Sequence, residues 1–176
     1  MFSNPSEILR QCGISAGSTV GDFGVGDGVY TREAAHLVGP QGIIYAFDIQ
    51  KDLIAKLLRD VKREKTSVIH PLWVDLEADR GTMLTDGALD LAIVSNILFQ
   101  VEHKDVFLHE VSRVLRPGGR VLVVDWKESF GNMGPHKDHV VDETRARALL
   151  AEASLVFDRS IDAGAHHYGL IFRKPL

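Results

Sequence analysis

Cysteine is almost missing from this chain. Cys12 is the single one in 176 residues, which excludes an intramolecular disulfide and any cysteine-rich metal centre and fits a reducing compartment. Long apolar runs are missing as well. The longest, Leu91 to Val101, is broken by Ser95, Asn96 and Gln100, well short of the ~20 residues that span a bilayer. Met1 to Arg10 has no basic segment followed by an apolar one, so no secretory signal is expected and the expected location is the cytoplasm. Positive charge is not in excess: 20 Lys and Arg against 24 Asp and Glu leave a net charge of -4. That argues against a nucleic-acid partner, whose recognition depends on clustered cations. Internal repeats and low-complexity segments are absent too.

What is present is an ordinary globular composition, 45% hydrophobic and 25% charged, in a length that suits a single domain over residues 1–176. Strand-like and helix-like segments alternate, the pattern of an α/β fold with a sheet covered by helices on both faces. Asn4 and Pro5 read as the cap and first residue of a short helix, 5–12, stopped by Gly13. Further helices are expected at 29–38, 51–65, 104–115 and 143–153, and strands at 19–23, 43–47, 68–74, 89–95 and 120–126. In the 51–65 helix, Leu53, Ile54, Leu57, Leu58 and Val61 form an apolar stripe, opposite a solvated face with Lys56, Arg59 and Lys62. Arg116-Pro117-Gly118-Gly119 reads as the stop after the 104–115 helix. Segments 155–161 and 168–173 read as a closing antiparallel pair, which brings the strands to seven. The stretch 129–142, rich in Gly, His and Asn, reads as a loop and a candidate lid.

The informative stretch joins the first strand to the following helix: Gly21-Asp22-Phe23-Gly24-Val25-Gly26-Asp27-Gly28. Alternate glycines make a shelf without side chains where open α/β sheets bind ligands. A dinucleotide fingerprint needs G-x-G-x-x-G. Here the third glycine arrives one residue early, and Asp22 and Asp27 would crowd a pyrophosphate with negative charge. A ligand with a positive centre suits the loop better, and a purely structural turn is the competing reading. Asp48, about 20 residues on, has the position and the two oxygens to accept a pair of ribose hydroxyls, or else to cap the helix at Lys51. Asp75, after the third strand, stands where an acceptor for an adenine amino group would be needed, with Leu76 to pack on the ring; it also reads as an ordinary loop aspartate.

These residues, with Leu89-Asp90-Leu91, Ser95-Asn96 and Arg113-Val114-Leu115-Arg116-Pro117-Gly118-Gly119, resemble the class I methyltransferases that use S-adenosylmethionine (SAM). Within that class the chain is similar to small methyltransferases of type 11 and to the ubiquinone/menaquinone-biosynthesis C-methyltransferases. The resemblance implies a Rossmann-like, seven-stranded mixed sheet in the order 3-2-1-4-5-7-6 with the last strand antiparallel. It implies SAM as cofactor, with Asp22, Gly24 and Gly26 at the methionine end, Asp48 at the ribose, Asp75 with Leu76 at the adenine, Ser95 and Asn96 beside the methionine or sulfonium, and Gly28 and Ile49 as further cofactor-binding residues. It also implies a small-molecule acceptor, hydrophobic ones included. A SAM-binding module without turnover, or a partner subunit of another methyltransferase, is the alternative. Arsenic methyltransferases, which work through several cysteines, are excluded by the lone Cys12.

No catalytic residue stands out, and methyl transfer to some acceptors needs no strong base. Candidates to face the substrate are Phe99, His103, Asp125, Trp126, Lys127, His136, His139 and Tyr168, of which His103, Asp125, His139 and Tyr168 are the acid–base candidates. Histidines 136 and 139 with Asp138 are a weak metal pattern, and no metal is expected. His166 and His167 are adjacent, so on a strand they face opposite sides. The oligomeric state stays open at this point.

Overall fold

The structure is a computed structural model that describes residues 4–131 and 134–176. A short helix α1 (Pro5–Gln11) opens the described chain; Asn4 accepts the Ser6 amide as its cap and Cys12 ends it, one residue earlier than the sequence suggests. Then come β1 (Thr19–Phe23), α2 (Val29–Val38), β2 (Ile43–Asp48), α3 (Lys51–Glu64), β3 (Ile69–Trp73), β4 (Leu89–Ser95), α4 (Lys104–Val114), β5 (Leu115–Trp126), α5 (Glu143–Glu152), β6 (Val156–Ile161) and β7 (His167–Arg173). One sheet takes all seven strands in the order β3-β2-β1-β4-β5-β7-β6. The pairs from β3 through to β5 are parallel, and β7 runs antiparallel between β5 and β6. This is the order that the resemblance implies.

Burial explains why β4 lacks polar alternation. Leu91 and Ile93 enter one core, and Ala92 and Val94 enter the other; a strand covered on both faces is apolar throughout. The first core is closed by Ile8 and Leu9 of α1, Ala34 and Val38 of α2, and Ile54 and Leu57 of α3. The second is closed by Phe107, Leu108 and Val111 of α4 with Ala146 and Leu150 of α5. Pro71 is tolerated in β3 because that strand lies at the sheet edge, where a missing N–H breaks no ladder.

One expectation is corrected. Residues 116–119 do not form a turn between α4 and β5; the helix runs straight into a strand of 12 residues that begins at Leu115. The Gly118 amide donates to the Lys174 carbonyl and the Lys174 amide donates to Gly119, each at 2.9 Å. A distant segment thus takes the hydrogen bonds that a tight turn would have made within itself.

Of the 129–142 segment, residues 132 and 133 lie outside the described residues. Its far end is tied down: Val141 is buried, its carbonyl accepts the Tyr168 hydroxyl at 2.8 Å, and Asp142 caps α5 through the Arg145 amide. Among the described residues, no helix is long and apolar enough to cross a membrane.

Candidate functional site

The parallel strands β1, β2, β3 and β4 present their carboxyl ends to a cavity of about 560 Å³. It lies where the sheet changes winding direction, between β1 and β4, the usual ligand position in open α/β sheets. The turn from β1 to α2 forms its floor. Gly24 and Gly26 have φ of +86° and +51°, conformations that only glycine adopts without cost. The amides of Gly24 and Val25 both donate to the Phe47 carbonyl, at 2.9 and 3.0 Å, which pins the turn to β2. A Cβ on Gly24 would come within 2.4 Å of the Ile97 side chain, whereas at Gly26 it would meet nothing within 4 Å.

Asp48 ends β2 beside this turn and is only 6% exposed. One carboxylate oxygen accepts the Gly26 amide at 3.1 Å and the other accepts the Gln50 amide at 2.8 Å. Gln50 occupies the N-cap position of α3 without a side-chain cap bond, so Asp48 steadies the approach to that helix rather than capping it. Each oxygen keeps further lone-pair capacity. Asp22, deeper in β1, accepts the Thr31 hydroxyl at 2.5 Å. Burial raises its pKa from 3.8 to about 7; the Thr31 hydrogen bond opposes that rise, and the negative charge of Asp48 adds to it.

The opposite wall comes from the end of β4. Ser95 Oγ and Asn96 Oδ1 are both buried without a hydrogen-bond partner, and both residues line the cavity. Asn96 has φ of +54°, unusual outside glycine, and its amide donates to Val124 at 2.8 Å. A buried polar atom left unpaired costs about 1–3 kcal/mol. Two such atoms on one cavity wall are what a site shows when a polar ligand completes it.

Asp75, Leu76 and Ile49 complete the set that the structure brings together with Asp22, Gly24, Gly26, Asp48, Ser95 and Asn96. Asp75 accepts the Glu77 amide at 2.9 Å, Leu76 is buried, and Ile49 stands 61% exposed at the rim. Gly28 is not in the lining; it is the residue before α2, where Arg32 bonds its carbonyl at 3.3 Å.

The acid–base candidates lie outside the lining. Asp125, 1% exposed, accepts the Leu98 amide at 3.0 Å and the Trp126 amide at 2.8 Å. Burial raises its pKa to about 6 against those backbone donors. It therefore fastens the turn after β4. Tyr168, 3% exposed, spends its hydroxyl on Val141, and burial raises its pKa. His103 immediately precedes α4 and its amide donates to Glu77 Oε2 at 2.5 Å. His139 is 6.2 Å from the His136 ring, which contacts Asp138 at 3.2 Å. Among the described residues, no three His, Cys, Asp or Glu side chains are placed to share a metal. Phe99, Trp126 and His136 are outside the lining as well.

Ile97, Gln100 and Val101 do line it, and no expectation singled them out. The amides of Gln100 and Val101 both donate to the Ile97 carbonyl, at 2.8 and 3.2 Å. One helical turn puts positions i, i+3 and i+4 on one side, and that spacing is the signal that could have found them. Pro5, Val29 and Tyr30 also contribute, with no pattern to mark them.

Residues 21–123, more than half of the chain, match the family model described as a methyltransferase domain. The chain belongs to that family. This methyltransferase domain is 31% identical over 125 residues to the ubiquinone/menaquinone biosynthesis C-methyltransferase UbiE of Pseudomonas aeruginosa (strain LESB58), covering 71% of this chain and 48% of that protein. To the protein of the same name from Burkholderia multivorans it is 32% identical over 120 residues, 68% of this chain and 48% of the other. The domain thus spans about half the length of the curated relatives it matches. A solved SAM-dependent methyltransferase from Aquifex aeolicus superposes with a TM-score of 0.89 at 24% identity, over 98% of this chain and 90% of that one. The [4+2]-cyclase SpnF superposes with 0.83 at 16% identity, over 98% and 80%. These two likenesses show a shared fold.

Proposed function

We propose that this methyltransferase domain binds SAM in the cavity at the strand tips and transfers its methyl group to a small-molecule acceptor by in-line displacement. The observation that carries the reading is that one cavity is lined both by Ser95 and Asn96, whose buried Oγ and Oδ1 have no hydrogen-bond partner, and by a glycine turn in which a Cβ at Gly26 would meet nothing within 4 Å. The residues present fit the cofactor. Asp48 offers both oxygens to a ribose, Asp75 an acceptor to an adenine amine, and Leu76 an apolar surface to its ring. Asp22 offers a carboxylate to the methionine end, where a cation offsets the burial that otherwise favours its protonated form.

When bound, the cofactor supplies a methyl group on a cationic sulfur. The work of the chain is to align the acceptor and to keep water out. The turn 97–101 serves this purpose, because Asp125 fixes it from behind through the Leu98 amide. A cytoplasmic setting and the lack of a nucleic-acid partner belong to the same reading, supported by the lone Cys12 and the net charge of -4. One observation favours a second reading, a module that binds without turnover: His103, Asp125, His139 and Tyr168 all lie outside the lining.

Calorimetry with SAM and with its demethylated product tests the binding; saturable heat is expected with both, and none with either would overturn the reading. Incubation with methyl-labelled SAM and a metabolite extract then separates enzyme from binding module by whether a labelled product forms.

A further inference from the structure

We infer, resting on the reading above, that the methyl acceptor is an uncharged or cationic molecule with an apolar body, and that carboxylate and phosphate acceptors are shut out. Once the residues assigned to the cofactor are set aside, the remaining wall is chiefly Pro5, Val29, Tyr30, Ile97, Gln100 and Val101. These six are apolar apart from the Gln100 amide and the Tyr30 phenol, and Val25, Gln50, Asp27 and Glu77 complete the wall. Among the described residues the lining contains no lysine, arginine or histidine, and it carries the carboxyl groups of Asp22, Asp27, Asp48, Asp75 and Glu77.

The neighbouring cations are already engaged. Lys56 pairs with Asp27 at 3.4 Å, Arg32 pairs with Asp60 at 2.8 Å, and Lys104 donates to the Val101 carbonyl. An acceptor anion entering this cavity would lose its hydration and find no protein cation to replace it, only the cofactor's sulfonium, whose charge the transfer itself consumes; burying such a charge is costly. The crowding of like charge is already felt inside: Asp48 adds to the burial that holds Asp22 toward its protonated form.

The charge balance of the transfer points the same way. A neutral acceptor's lone pair forms the new bond to carbon, the old carbon–sulfur pair stays on sulfur, and the positive charge passes to the acceptor. An acceptor N–H or O–H then releases its proton to water. Carboxylates around the cavity stabilise that positive charge before and after the step. An anionic acceptor would cancel it and gain nothing from them.

The test uses the full chain, after calorimetry has established that it binds the demethylated cofactor. A metabolite extract is split at pH 7 on an anion exchanger into bound and flow-through fractions, and each is incubated with methyl-labelled SAM. Labelled product from the flow-through and none from the bound fraction is the expected result. Labelled product from the bound fraction overturns the inference while leaving the methyltransferase reading intact. No product from either fraction, with binding preserved, overturns the catalytic reading and this inference with it.

Discussion

The carboxylate of Asp48 and the amide of Gly26 hold one another at 3.1 Å. The acid that would bind a ribose therefore also sets the turn that would pass beneath the methionine. Asp48→Ala removes both, and the expected cost is about 1–3 kcal/mol of affinity for the demethylated cofactor, or roughly 5- to 150-fold in Kd. Isothermal calorimetry measures it. An unchanged Kd would refute the ribose assignment.

Gly24→Ala is expected to harm stability and binding together. Its backbone is left-handed, and the added methyl would press on Ile97, moving the turn that lines the cavity. Gly17→Ala is the matched control, since φ is +81° there too but nothing lies within 4 Å. Both should lose about 1 kcal/mol to backbone strain, read as a fall of roughly 2–4 °C in Tm. Only Gly24→Ala should weaken binding; equal affinities in the two variants would disprove the role of the turn.

The raised pKa of Asp22, about 7 against 3.8, sets a pH dependence with a definite sign. Between these values the folded chain holds a proton that the unfolded chain has lost, so the Asp22 contribution to stability is complete below 3.8 and lost as pH rises through 7. Relative to Asp22→Asn, the wild type should therefore lose stability from pH 5 to 8, with a slope approaching about 1.4 kcal/mol per unit. Urea melts at several pH values check this. Cofactor affinity should run the other way in the wild type and rise over pH 6 to 8, because a bound cation favours the ionised carboxylate. An Asp22→Asn protein with the same two profiles would contradict the assignment.

Tyr168→Phe separates structure from chemistry. It removes the hydroxyl that satisfies the buried Val141 carbonyl, at a cost of about 1–3 kcal/mol. Thermal melts should show the loss, while affinity for the demethylated cofactor stays unchanged. A weakened affinity without loss of Tm would restore Tyr168 as a site residue.

Much of the fold was legible because its signals are local. The apolar run of β4, the stripe of α3 and the cap at Asn4 each depend on neighbouring residues. The extension of β5 through Gly118 and Gly119 was not legible, because Lys174, more than 50 positions away, supplies the bonds. The site divides in the same way. The glycine turn, Asp48 and Asp75 stand at strand ends, where spacing alone marks them. Asp125 and Tyr168 stand on the same rim, yet burial turns them inward, and no sequence pattern distinguishes an inward polar group from one that faces substrate. Gln100 was concealed by a single helical turn between strand and helix, too short to announce its period.

The position of β7 between β5 and β6 has a consequence for how the chain comes off the ribosome. Strand β6 is made first but has no neighbour in the sheet other than β7, so it must wait undocked until the later strand arrives. A nascent chain halted before His167 would carry β5 with a naked edge, and that is the stage at which misassociation is most to be feared.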